Sequence, residues 1–247
     1  MMSMNLSTSL PLKNTIRRLC HLAVLVSMVM LTACASGPHT DPRDPLEKFN
    51  RDMTSFNEAV DDAVLKPVAT VYTQTTPYFL RTAVRNFFGN LRDVWSTFNT
   101  ALQLRVEDTA VNVLRVGFNT LWGFGGIIDL ASEMHLYRNP ADFGQTLGRW
   151  GVPPGPYLVL PIVGPSTLRD TVGMGIEGKG DLVMRLDNVA NRNLLHGLRV
   201  VETRASLLRT SAVLDDAALD KYTFTREVFL QRRKSIIDAQ RNREDDD

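Results

Sequence analysis

The chain has 247 residues, of which 44% are hydrophobic and 22% charged, and its net charge is +1. A balance so near zero gives no net basic charge to suggest a nucleic-acid partner, and two cysteines exclude a disulfide-rich framework. The length suits a single domain with a sizeable core.

The first elements in chain order are targeting signals. Lys13, Arg17 and Arg18 form a basic region, Leu22 to Leu31 (LAVLVSMVML) an apolar one, and Thr32 and Ala33 are small. Residues 1–33 therefore read as a secretory signal, whose apolar part is short of the ~20 residues a spanning helix needs. Leu31-Thr32-Ala33-Cys34 has the form of a bacterial lipobox, in which the cysteine is acylated and becomes the first mature residue. A chance cysteine beside an ordinary cleavage site is the alternative. The register of basic region, apolar region, small residues and cysteine argues against it. Cys20 leaves with the signal, so Cys34 is the one mature thiol and has no disulfide partner. Each buried acyl methylene contributes about 0.8 kcal/mol to anchoring. Ala35-Ser36 follows the cysteine, with no Asp, which resembles the outer-membrane sorting pattern of Gram-negative lipoproteins. Without residues 1–33 the 247-residue chain keeps 214 residues and loses three basic and no acidic ones, so its charge falls from +1 to about −2.

Residues 34–43 read as a lipidated tether. ASGPHTDPR (35–43) is polar and rich in turn formers, reaches at most about 30 Å, and as a flexible coil averages roughly 15–18 Å. It keeps the folded body, residues 44–243, close to the membrane surface.

Asp44-Pro45 has the form of an N-cap followed by proline. Leu46, Phe49, Met53, Phe56 and Val60 then predict an amphipathic helix ending before Pro67. Thr76-Pro77 repeats the start signal, and Leu80, Val84, Phe87, Phe88, Leu91, Trp95, Phe98 and Leu102 carry a second helical stripe. A third helix spans about 108–122 and breaks at GFGG. A short helix is expected within 127–134, and another opens at Asn139-Pro140 over ADFGQTLGRW. GVPPGPYLVLPIVGP, Gly151 to Pro165, holds five prolines and three glycines, which forbid a helix. Tyr157 to Leu160 has the length of a strand but no evident partner. Ser166 reads as the cap of a helix with Asp170 in its first turns. Helices at 181–190, 191–214 and 220–243 complete the body, and 244–247 is an acidic, disordered tail. Everything long is helical, so the class is all-α. No mature segment has 18 uninterrupted apolar residues.

Signals of chemistry are missing. His39, His135 and His196 are widely spaced and lack companion ligands, so no metal or cofactor is expected. Neither a G-x-S-x-G elbow nor a phosphate loop occurs. Asp61-Asp62 and Asp215-Asp216 read as solvated surface, because adjacent helical residues do not face each other. Arg232, Arg233 and Lys234 read as a charged helix face. No catalytic residue is identified.

DPLEKFNR (44–51), VLKPVA (64–69), NPADFGQTLGRWGVPPGPYLVLPIVGPSTLRD (139–170) and ETRASLL (202–208) resemble the MlaA (VacJ) family of lipoproteins. The resemblance runs from Asp44 to about Arg233. It implies an all-helical ring in the inner leaflet of the outer membrane, enclosing a polar channel and associated with trimeric porins. It implies removal of mislocalised phospholipid from the outer leaflet and delivery to an MlaC-like periplasmic carrier, which feeds an inner-membrane ABC transporter and so maintains lipid asymmetry. Family members carry a glycine-rich hairpin beside the channel, which makes Gly151, Val152, Pro153, Pro154, Gly155, Pro156 and Tyr157 the candidate gate loop. Pro153-Pro154 departs from the glycine-rich pattern.

The role has a physical basis. Exposing roughly 30 methylenes of a phospholipid to water costs on the order of 24 kcal/mol at about 0.8 each, and drawing its headgroup through hydrocarbon is also costly. Amphipathic helices with apolar faces toward lipid and polar faces inward meet both demands. Trp95, Trp122, Trp150 and Tyr157 suit the membrane interface. Two rival readings are a structural anchor that organises porins and a phospholipase. The latter needs a nucleophile–base pair, which the residues do not offer.

Overall fold

A computed structural model of the chain describes residues 41–217 and 220–245; the signal, Cys34 and most of the tether lie outside them. The described chain is helical except for one hairpin. Its elements are α1 (Glu47–Val60), a π-helical turn (Asp61–Leu65), α2 (Lys66–Thr75), α3 (Tyr78–Leu102), α4 (Val106–Leu121), α5 (Leu130–Glu133) and α6 (Phe143–Arg149). The hairpin β1 (Tyr157–Leu160) and β2 (Gly164–Thr167) follows, then α7 (Leu168–Gly180), α8 (Val189–Ala217) and α9 (Lys221–Asp245).

Several local expectations change. The first helix does not stop before Pro67. Leu65 and Lys66 keep right-handed helical angles and the helix runs on to Thr75. The widened π turn supplies the backbone adjustment that a proline's ring and missing N–H demand. Asp44 is not a helix cap: it is fully buried, and α1 begins at Glu47. Tyr157–Leu160 does find a partner, pairing antiparallel with Gly164–Thr167 so that Tyr157 faces Thr167 and Leu160 faces Gly164. Ser166 therefore lies in β2. The cap of α7 is Thr167, whose side chain accepts from the Asp170 N–H at 3.2 Å. Residues 181–188 form turns instead of a helix, and α8 starts at Val189. α9 extends to Asp245, into the stretch expected as tail.

The hairpin builds a conventional core. Tyr157, Val159 and Tyr222 are buried together, with Met53, Phe229 and Leu230 packed against them. The Tyr157 and Tyr222 rings meet edge-on at 6.2 Å. Asn50, also fully buried, stitches α1 to β1: its Nδ2 donates to the Tyr157 carbonyl at 3.0 Å, and its Oδ1 accepts from the Val159 N–H at 2.8 Å. Asp44 closes this unit by accepting from Asn50 Nδ2, from the Tyr222 hydroxyl and from Arg226 Nη1. A buried carboxylate with three donors meets the usual condition for burying a charge.

A second junction joins α6, α7 and α9. Asp142 caps α6 by accepting from the Gln145 N–H at 2.8 Å. Arg233 donates to Asp142 and reaches Asp170 at 2.7 Å. The residue expected on a plain charged helix face is thus the tie between three helices. Burial pushes the Asp142 carboxyl up, but the hydrogen bonds and charge of Arg233 outweigh it and hold the group below the usual carboxylate range.

Candidate functional site: an inside-out helical hairpin and its cavity

The α3–α4 pair reverses the usual pattern of a water-soluble fold. On α3, Asn90, Asp93, Ser96, Asn99 and Thr100 are buried; on α4, Asn112, Arg115 and Asn119 are. Their three- and four-residue spacing places them on one face of each helix, turned inward. Most large apolar residues point out, the buried Phe88 being an exception. Leu104 is 78% exposed, Val106 79% and Phe124 75%, with Phe98, Leu121 and Trp122 also exposed. In water this arrangement wastes apolar burial. In hydrocarbon each large side chain gains roughly 1.5–3 kcal/mol relative to water.

The inward polar groups are satisfied by the chain that follows. Arg115 has no exposed surface. Its Nη2 donates to both Asp129 oxygens at 3.0 and 3.1 Å, its Nε lies 3.4 Å from Asp93, and its Nη1 donates to the Leu136 carbonyl. Asn119 donates to Asp129 at 2.9 Å and accepts from the Ala131 N–H at 2.9 Å. Asn112 exchanges hydrogen bonds with the Asn139 backbone. Gln103, Thr146 and Asn99 form a chain at 2.9 and 2.8 Å that ties α3 to α6.

Against this hairpin lies a cavity of about 630 Å³, bounded by α3, α7, α8 and the tip of the β-hairpin. One part of its wall is apolar, from Phe88, Leu91 and Trp95 on α3 and Val200 and Leu207 on α8. Another part is charged. Arg199 pairs with Asp181 at 2.6 Å, and Arg204 with Asp61 at 2.5 Å. Asp61 is therefore an ion-pair partner, not free surface. Glu177 Oε1 accepts from Asn99 Nδ2 at 2.9 Å and from the Phe143 N–H at 2.6 Å. Gly180 ends α7 where a Cβ would stand 1.9 Å from Trp95 Cζ2, so only glycine admits the indole there.

Ile162 and Val163, at the hairpin tip, also line this cavity. Ile162 has φ +64°, a left-handed angle that a β-branched residue adopts only when its surroundings impose it. Asn57 imposes it: its Oδ1 accepts from the Ile162 N–H at 2.7 Å and its Nδ2 donates to the Leu160 carbonyl at 2.9 Å.

A match to the family model described as MlaA lipoprotein covers residues 42–236. The chain belongs to the MlaA lipoprotein family. It is 36% identical over 226 residues to the intermembrane phospholipid transport system lipoprotein MlaA of Escherichia coli (strain K12), covering 88% of each chain. An uncharacterized protein of Rickettsia typhi is 41% identical over 127 residues. The chain spans about half the length of that rickettsial relative, 51%. A solved structure reported as a structural basis for maintenance of bacterial outer membrane lipid asymmetry matches with a TM-score of 0.69 at 35% identity. The match covers 78% of this chain and 98% of that one. The mostly helical class expected from the resemblance is the one observed.

The loop Gly151 to Tyr157 divides between two places. Gly151 to Gly155 line a different, more charged groove of about 840 Å³, shared with α9 and Arg43. Tyr157 is only 1% exposed and belongs to the core, and Trp95 lines the cavity. Trp122 and Trp150 are exposed, as an interfacial role requires. Cys34 lies outside the described residues. Sequence reading missed Arg92, Glu177 and Arg199. Arg92 had a signal, sitting seven residues before Asn99 and so on the same face of α3. Glu177 had none, since it stands in a glycine-rich helix, GMGIEGKG, with little amphipathic pattern.

Proposed function

We propose that this protein is an outer-membrane lipoprotein, anchored through Cys34 in the periplasmic leaflet, that removes mislocalised phospholipid from the outer leaflet without chemical change. The inside-out α3–α4 pair carries this reading, because a polar interior behind an apolar exterior suits hydrocarbon as the solvent. The names of the family's relatives support it. The 630 Å³ cavity offers a headgroup charged partners and leaves the chains apolar walls. The lipid then passes to an MlaC-like periplasmic carrier that serves an inner-membrane ABC transporter, with trimeric porins as outer-membrane partners. No residue acts as a nucleophile in this scheme.

The gate combines the loop and the hairpin. Gly151 and Gly155 have φ +92° and +67°, angles open to glycine, and they flank the stiff Pro153-Pro154 pair. They let the loop move beside the hairpin, whose tip, Ile162–Val163, reaches the cavity. A crosslink between Val163→Cys and Val200→Cys is expected to raise surface phospholipid to the level of cells lacking the protein. Unchanged surface lipid would remove the gate. The role itself is tested by outer-leaflet phospholipid in cells with wild-type protein, with Cys34→Ala, or with none. Surface phospholipid rises in the latter two if transport occurs. Lysophospholipid made by the wild type would favour the phospholipase, and no change in any strain would favour the porin anchor.

A further inference from the structure

The cavity's charges are mostly used up, with two exceptions. Arg199 and Arg204 are paired with Asp181 and Asp61. Arg92, exposed on the cavity wall of α3, makes no hydrogen bond or contact ion pair with another described residue. Glu202 on α8 feels the charges of Arg85, Arg92 and Arg81 together, so one carboxylate is shared among three guanidinium groups. Glu177, on α7, spends Oε1 on Asn99 and the Phe143 N–H, while Oε2 has no hydrogen-bond partner among the described residues. Asp142 and Arg233 both act on Glu177, the carboxylate adding to the negative field there and the guanidinium opposing it. Asn99 lies two turns along α3 from Arg92, about 10 Å. Because Glu177 is pinned to Asn99, the cation and the open carboxylate oxygen are spaced along α3, whose Trp95 also lines the cavity.

We propose that Arg92 and Glu177 together form a headgroup-selecting pair, Arg92 taking the lipid phosphate and Glu177 the ammonium of an amine-bearing, zwitterionic phospholipid. This rests on the reading of the cavity as a phospholipid path. A phosphate and an ammonium joined by two carbons, with a hydrogen bond at each end and the reach of an arginine side chain, span the separation. An anionic glycerol headgroup satisfies Arg92 equally but gives Glu177 no charge partner and meets its repulsion. Rejection of the wrong headgroup thus comes from Glu177 and affinity for both from Arg92.

The test uses the full-length lipidated protein reconstituted into vesicles of equal phosphatidylethanolamine and phosphatidylglycerol, repurified in mild detergent, with bound lipid quantified by mass spectrometry. Wild type should retain more phosphatidylethanolamine than phosphatidylglycerol. Glu177→Gln keeps an acceptor for Asn99 and Phe143 and so keeps the fold. Its ratio should fall by about threefold to tenfold at unchanged total lipid, the size of one partly desolvated charge pair. Arg92→Gln should lose both lipids, and Arg92→Lys should recover them. A wild-type protein without headgroup preference overturns the pair, as does a Glu177→Gln protein with the wild-type ratio. A wild-type protein that retains no lipid at all overturns the underlying transport reading instead.

Discussion

Two regions of the same chain follow opposite rules of burial. Around the β-hairpin, Tyr157, Val159 and Tyr222 are inside and polar groups are buried only where donors meet acceptors, as at Asn50 and Asp44. In α3–α5 the polar residues are inside and Leu104, Val106, Leu121 and Phe124 are outside. The first region gains its stability from removing apolar surface from water, so it is expected to fold alike in water and in detergent. The second gains little from that. Its interior is held by hydrogen bonds and ion pairs, and its exterior needs hydrocarbon. The contrast shows that hydrophobic periodicity marks which face differs, while the solvent decides which way that face turns.

The contrast can be broken most severely at Arg115. Arg115→Ala leaves the buried Asp93 and Asp129 to share the single cation of Arg138 and is expected to cost about 3 kcal/mol. Thermal unfolding in detergent should show an early transition in helical signal, and little folded protein should accumulate in the membrane. Next comes Tyr157→Ala, which empties the hairpin core and is expected to cost about 3 kcal/mol. Its loss should be the same in different detergents, whereas that of Arg115→Ala should vary with detergent. A detergent-independent Arg115→Ala would erase the distinction between the regions.

A sharper comparison comes from the exposed face. Val106→Asn should leave thermal stability in detergent near wild type but weaken partition into vesicles by about 1.5–3 kcal/mol, the value of one large apolar side chain. Removal of the Asn57 side chain, by Asn57→Ala, should release the Ile162 tip at a cost of about 1 kcal/mol. Faster proteolysis confined to 160–164 would report it.

Acid separates the junctions. The Asp142 carboxyl is held below its ordinary value by Arg233, so the folded state binds its proton less readily than the unfolded chain does. The stability it contributes is complete above about pH 4, the unfolded value, and is lost as pH falls through the lower folded value. A pH titration of helical signal should show α9 loosening from α6 in that acid range, with Asp142→Asn reducing the pH dependence to what Asp41, Asp129, Asp181 and Asp220 contribute while lowering stability at neutral pH.

Much of this protein was legible in the order of its residues. The helix starts after Pro77, the length of α3, the break at GFGG and the family resemblance all follow from local pattern, because start signals and glycine breaks act over a few residues. The π turn that carries the first helix past Pro67 was not legible, since whether a proline ends a helix depends on how the preceding turn can widen. The hairpin was half legible. Tyr157–Leu160 has strand residues, but its partner, GPST, has proline and glycine and becomes a strand only by docking on α9 and Tyr157.

The candidate site divides in the same way. A lipidated cysteine, a gate region rich in glycine and proline, and amphipathic helices could be read from the chain alone, because signal, turn and periodicity are one-dimensional. Which face of α3 and α4 turns inward, the pairing of Arg199 with Asp181 and Arg204 with Asp61, and the meeting of Arg92 on α3 with Glu177 on α7 around one cavity were decided by tertiary structure. Those charges lie up to 143 residues apart in the chain. Their partners are set by helix packing, and a charge is free or satisfied only in relation to the neighbours that packing brings to it.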